Sequence, residues 1–243
     1  MTWANRFRLF FGFIVVVVVV LACTLILSQR ETEVDSRSAS VKATTYSVGA
    51  DYAGTVTAQK VNRGDTVKTG QPLLTIQSAT LAAALAVKTK VPTSTAYTVT
   101  APGSITLLAT EPGIVSDIGA HVGGFVSAGS ALASIDRTGS LYVLADFHLD
   151  PYDFSRVQKG AKVDLVLPNQ QMLSGTVSRI TVATVGGKAD VSIEVRSTGL
   201  VRGTHSGLVA PGTPIIATLH LRPDGLLGGL RESILGLLRK VGL

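Results

Sequence analysis

The chain has a single cysteine, Cys23, among its 243 residues, so no disulfide can form within it and packing alone must hold the fold. Its four histidines, His121, His148, His205 and His220, are widely separated, with no His-x-x-x-His pair and no carboxylate at ligand spacing. A metal centre is therefore not written into any local motif. Ser104, Ser127 and Ser130 lack the Gly-x-Ser-x-Gly context of a nucleophile elbow, and no lysine follows Gly119 to Gly124 as a phosphate loop requires. Aromatic residues make up only 5% of the chain, and its Lys and Arg residues are scattered singly despite a net charge of +6 and a pI of 9.6. That pattern argues against nucleic acid and for a generally basic surface near anionic lipid or cell wall. No catalytic residue, cofactor-binding residue or metal ligand is expected, and the chain reads as a non-enzyme.

What the sequence does contain is a motif that occurs twice. Gly54, Val56, Gly64, Val67, Gly70, Leu73 and Ile76 recur without a gap as Gly113, Val115, Gly123, Val126, Gly129, Leu132 and Ile135. Self-similarity of this kind predicts two copies of one supersecondary unit, each burying its apolar face against the other. Gly64-Asp65 and Gly70-Gln71 are turn signals only a few residues apart, so each copy reads as short strands joined by tight turns. The repeated glycines Gly54, Gly64, Gly70, Gly113, Gly123 and Gly129 are assigned to those turns, where the backbone needs positive φ or a close approach. Arg63-Gly64-Asp65 is one such turn rather than an adhesion tripeptide.

The rest of the chain divides by composition. From Leu9 to Leu27 nearly every side chain is apolar, a run of 19 residues that spans about 28 Å as a helix and nearly crosses a bilayer. Arg6 and Arg8 precede it and no positive excess follows it, which places the N-terminus in the cytoplasm and the bulk of the chain outside. An uncleaved single-pass anchor over 1–30 is one reading. Lipidation of Cys23 behind Val20-Leu21-Ala22 is the other, although the apolar run continues through Thr24 to Leu27. Residues 31–45 are polar and are expected to be a linker.

Residues 46–140 hold the repeat, with half-motifs at 54–76 and 113–135 and an insertion over 77–112. Within the insertion, Ala79 to Lys90 predicts one short helix and nothing longer. Alternating segments around Leu141 to Leu149, Val163 to Leu167, Ala189 to Val195 and Ile215 to Leu221 predict a second β domain, a small barrel over 141–222. The tail, 223–243, places Leu226, Leu227, Leu230, Ile234, Leu237, Leu238 and Val241 on one helical face, with Glu232, Arg239 and Lys240 opposite. Gly228, Gly229, Gly236 and Gly242 weaken an isolated helix there, so the tail needs a surface: its own barrel, a membrane interface or a membrane partner.

The paired pattern, with Gly-Asp-x-Val-x-x-Gly-Gln-x-Leu from Gly64 to Leu73, resembles the half-motifs of biotinyl/lipoyl domains. Ala79, Thr80 and Leu81 stand where such carriers place the modified lysine, so the carrier activity is not inherited and no cofactor is implied. The combination of anchor, split lipoyl-like domain and following barrel resembles the membrane fusion proteins, or periplasmic adaptors, of the HlyD and RND-efflux type. The barrel segment is similar on its own residues: Leu141 to Phe147, Asp150 and Asp153, Lys159 to Val163, Ser174 to Val177, and Ala210 to Gly212. This resemblance covers about residues 46 to 221. It implies a mainly β fold, a lipoyl-like barrel-sandwich hybrid followed by a small β-barrel, and the role of an adaptor in an efflux complex.

The same resemblance implies assembly as a homo-oligomer around an inner-membrane transporter of ABC, MFS or RND type. Asp150, Tyr152, Asp153, Arg156, Arg231, Arg239 and Lys240 are the expected contact residues. The insertion, about 36 residues rather than a long α-hairpin, implies that the protein does not bridge to an outer-membrane channel. An envelope lipid- or polysaccharide-binding module without a transporter is the alternative that the same scaffold allows.

Overall fold

The computed structural model describes residues 32–87, 94–185 and 188–222, together with Gly12 and Val16. The anchor expected over 1–30, Cys23, and the tail with Arg231, Arg239 and Lys240 otherwise lie outside the described residues. Among the described residues, no helix is long and apolar enough to cross a membrane. The architecture is mainly β, in two units: one of residues 42–141, the other of the chain before and after them.

The first unit consists of two facing sheets built from the repeat. One has the strand order β6 (Tyr97–Ala101), β7 (Ser104–Leu108), β5 (Pro72–Gln77), β3 (Gly54–Gln59), β9 (Phe125–Val126). The other runs β2 (Ser38–Gly49), β10 (Ala131–Leu149), β8 (Gly113–Ile118), β4 (Thr66–Val67). The two copies are interlocked: β3 of the first copy pairs with β9 of the second, and β8 of the second pairs with β4 of the first. The tie repeats at single hydrogen bonds. Gly64 N–H donates to the Val115 carbonyl at 2.8 Å, and Gly123 N–H donates to the Val56 carbonyl at 2.8 Å. Neither half can complete its hydrogen bonding alone.

The repeat extends further than identity alone indicates. Val48 and Ala50 occupy positions equivalent to Leu107 and Ala109, and all four are buried. Thr57 and Ser116 are also equivalent: each sits at a bulge in its strand and donates its hydroxyl to a carbonyl of the paired strand, Thr75 at 3.3 Å and Ser134 at 2.9 Å. The core comes from both copies, with Val56 and Val115, Leu73 and Leu132, and Ile76 and Ile135 each 3% exposed or less. Burying a side chain of this size contributes about 1.5–3 kcal/mol, which is what binds the halves together.

The repeated glycines fall into two groups. Gly64, Gly70, Gly123 and Gly129 have φ of 93°, 79°, 86° and 82°. Gly64 and Gly123 turn the chain into the reciprocal hydrogen bonds, in a region that a side chain disfavours. Gly54 and Gly113 are strand residues rather than turn residues, which corrects the expectation. A Cβ on Gly54 would press on the Gln77 carbonyl and Ile76 Cγ2, and one on Gly113 on the Asp136 carbonyl and Ile135 Cγ2. Their role is close packing of neighbouring strands.

Within the insertion, helix α1 (Ala79–Ala86) is capped by Ser78, whose Oγ accepts from the Leu81 amide at 3.3 Å. Leu81 is fully buried and anchors the helix to the core. The helix ends at Ala86 in the described structure, and the β6–β7 hairpin turns back through Gly103 at φ 78°.

The second unit is a sheet that closes on itself. Its order is β1 (Glu33–Asp35), β14 (Ile216–His220), β11 (Lys162–Val166), β12 (Met172–Val185), β13 (Lys188–Arg196) and β10. β2 pairs β10, and the Arg37 amide donates to the Asp146 carbonyl at 2.8 Å. Because β1 lies on β14 and β2 on β10, residues 33–41 close the barrel. This corrects the linker expected over 31–45. The stretch is polar, but Ala39 and Val41 alternate inward at 8% and 0% exposure, while Ser36 and Val41 N–H donate to the Ala217 and Thr213 carbonyls. Those two small apolar residues and the backbone suffice for a closing strand, because the neighbouring strands supply the larger side chains, Phe147 and Leu219 among them.

Candidate functional site at the base of the barrel

Of the residues expected to meet a partner, Asp150, Tyr152, Asp153 and Arg156 lie at one end of the barrel, here called the base, where β1 begins and β14 ends. Glu33 opposes His220 in the ladder, and the Leu221 amide donates to the Thr32 carbonyl at 2.8 Å. The chain that precedes Thr32 and the chain that follows Arg222 are therefore rooted side by side. His220 sits between two carboxylates on neighbouring strands, with Nε2 2.8 Å from Asp164 Oδ2 and Nδ1 3.8 Å from Glu33 Oε1. Asp35 Oδ1 accepts from the Thr218 hydroxyl at 2.7 Å two pairs further along. The outer face near the exit is thus polar and acidic.

Helix α2 (Pro151–Ser155) completes the base. It begins at Asp150, where the chain leaves β10, with proline at the first helical position. Tyr152 is 63% exposed, and its ring lies over the Arg156 guanidinium at 5.5 Å from its centroid. Asp153 Oδ1 lies 3.4 Å from Arg156 Nη1. Arg156, expected as a surface contact, is only 6% exposed. Its Nε donates to the Arg222 carbonyl at 2.8 Å, and the Arg222 amide donates back to the Arg156 carbonyl at 3.2 Å. A buried guanidinium requires such partners, so Arg156 serves to hold the last described residues of the chain. Sequence reading missed this role because Asp153 and Arg156 look like an ordinary helix-surface pair, and nothing local marks Arg222 as their partner. Asp150, Tyr152 and Asp153 remain at the surface of the base, whereas Arg231, Arg239 and Lys240 lie outside the described residues.

The position that would bear a carrier lysine is the first turn of α1, where Ala79 and Thr80 are exposed and Leu81 is buried. Among the described residues, no group of three or more His, Cys, Asp or Glu is placed to hold a metal ion. The site offers hydrogen-bonding and aromatic surface.

No family model matches the chain, and no curated protein sequence matches it. Solved structures do. ZneB from Cupriavidus metallidurans aligns with a TM-score of 0.58 at 15% identity, over 78% of this chain and 98% of that one. The membrane fusion protein Spr0693 from Streptococcus pneumoniae R6 aligns with a TM-score of 0.51 at 15% identity, over 79% of this chain and 99% of that one. The chain has the membrane fusion protein fold. MacA from Actinobacillus actinomycetemcomitans adds a third alignment, with a TM-score of 0.56 at 14% identity over 78% of each chain. In the membrane fusion fold of this chain, the interlocked repeat and the closed barrel are the two units described above.

Proposed function

We propose that the protein is a membrane-anchored, extracytoplasmic adaptor of an export or efflux transporter, acting by assembly and without catalysis of its own. The observation that carries this reading is the membrane fusion fold, which covers 79% of this chain against nearly all of Spr0693. In this reading the lipoyl-like sandwich and the barrel form the body. The apolar run from Leu9 to Leu27 is a single-pass anchor with its N-terminus in the cytoplasm, and 223–243 is an amphipathic helix. The transporter is an inner-membrane protein of ABC, MFS or RND class, and several copies of the chain surround it. The base of the barrel is the nearest part of the body to the membrane, because only four residues separate Leu27 from Thr32.

A photo-crosslinking residue at Tyr152, introduced in the full chain and activated in native membranes, tests this reading. The expected product is a covalent adduct with a polytopic transporter, identified by mass spectrometry. Adducts to lipid or to soluble proteins alone would contradict it.

A further inference from the structure

One face of the five-stranded sheet in the first unit combines hydroxyls, an amide and a bare aromatic ring. Val56, Ile76, Ile105 and Val126 turn into the core, so their neighbours Thr55, Gln77, Ser104 and Phe125 face outward. The register sets those four side by side: Phe125 opposes Thr55, Thr55 opposes Gln77, and Gln77 opposes Ser104. Neighbouring strands lie about 4.8 Å apart, so the row is about 14 Å long, the reach of a short oligosaccharide. A second row, Thr98, Thr106 and Thr75, runs beside it in register, and Thr75 Oγ1 lies 3.4 Å from Thr106 Oγ1.

Phe125 is 73% exposed at the end of the first row, on an edge strand. Among the described residues no ring or guanidinium is stacked on it, whereas the other exposed aromatic, Tyr152, lies over Arg156. Gln77 Nε2 donates to the Pro102 carbonyl at 3.2 Å, which fixes the amide and leaves Oε1 to accept. The Thr55 hydroxyl makes no hydrogen bond among the described residues, and a hydroxyl both donates and accepts.

The chemistry of the two rows selects the ligand. Neither row carries a charged side chain, in a chain with 22 Lys and Arg and 16 Asp and Glu. Nucleic acid and anionic lipid require cations, which are missing here. The core of a protein interface is poor in Ser, and its energetic anchors are seldom Ser or Thr. A sugar ring matches both parts of the face: its C–H side is apolar and stacks on the negative face of an aromatic ring, and its hydroxyls pair with hydroxyls and amides.

We infer that this face binds a neutral, unbranched glycan, with the Phe125 ring stacked on a pyranose and Thr55, Gln77 and Ser104 hydrogen-bonded to its hydroxyls. The inference goes beyond the adaptor reading. It uses only the extracytoplasmic location given under Proposed function, and it needs no transporter.

The test uses the full chain in micelles of lauryldimethylamine oxide, a detergent without a sugar headgroup, and follows chitotetraose and cellotetraose by saturation-transfer NMR. Expected is saturable transfer to at least one of them, with affinity falling about tenfold in Phe125→Ala. Thr55→Lys, which puts a charge in the row, should also weaken binding, while Tyr152→Ala should not. The substituted side chains are exposed, so unchanged denaturant midpoints should show that each variant is folded. No transfer to either tetraose, binding unchanged by Phe125→Ala, or tighter binding of a sulfated heparin tetrasaccharide overturns the inference. If Phe125→Ala instead lowers the oligomer number on gel filtration and leaves tetraose binding unchanged, a second copy covers this face and the inference fails. With no transporter in the micelles, failure here and failure of the Tyr152 crosslink are separate results.

Discussion

Arg156 Nε donates to the main-chain carbonyl of Arg222 at 2.8 Å, tying the segment after β10 to the end of β14. The guanidinium is buried and paired, so Arg156→Ala strands the carbonyl it satisfies and removes a charge-assisted bond. A loss of about 2–3 kcal/mol is expected from such a deletion. Arg156→Lys keeps the charge without the fork geometry and should recover only part of that loss. Denaturant midpoints of the purified protein check both, and the amide of Arg222 should exchange faster with solvent in the alanine variant.

The interlocked repeat makes a prediction about symmetry. Gly64→Ala and Gly123→Ala place a side chain at φ of 93° and 86°, and each should destabilise the sandwich by about 1–2 kcal/mol. Gly54→Ala and Gly113→Ala force strands apart, and each should cost more than the turn substitutions. Within each pair the two losses should agree to within about 1 kcal/mol, as equilibrium unfolding can measure. A pair that differs several-fold would show that one half folds without the other.

Residues 33–41 close the barrel, so truncation has a definite outcome. A soluble fragment beginning at Thr32 should fold with both units, whereas one beginning at Tyr46 should retain the core around Val56 and Val115 and lose the barrel. The shorter fragment should bind a hydrophobic dye and show fast exchange at the Ala217 amide, which loses the Ser36 hydroxyl oxygen that accepts from it. Equal protection in the two fragments would return 31–45 to the status of a linker.

Helix α1 depends on a single cap. Ser78→Ala removes the acceptor for the Leu81 amide at a fully buried position, and a loss of about 1–2 kcal/mol is expected. Exchange at the amides of Leu81 and Ala82 should rise while the strand core is unchanged.

These features were not equally legible in the sequence. The seven identical positions were visible because glycines at turns or at close strand approaches and buried valine, leucine and isoleucine tolerate little substitution. The flanking pairs Val48 with Leu107 and Ala50 with Ala109 were hidden because burial there conserves apolar character and not identity, and the bulge hydroxyls of Thr57 and Ser116 differ by a methyl group. Residues 33–41 read as a linker because a closing strand needs only Ala39 and Val41 to face inward, and backbone hydrogen bonds leave no trace in composition. The base was legible as a cluster of charges between Asp150 and Arg156. That Arg156 is buried was not, because its partner, Arg222, follows β14 and lies far along the chain.

The central claim is assembly with a transporter, and affinity purification of the full chain from native membranes in mild detergent, followed by mass spectrometry, tests it most directly. The account predicts recovery of one polytopic inner-membrane transporter with several copies of this chain, at a ratio that survives gel filtration. Recovery of the chain alone, or with envelope lipid or polysaccharide and no transporter, would contradict it.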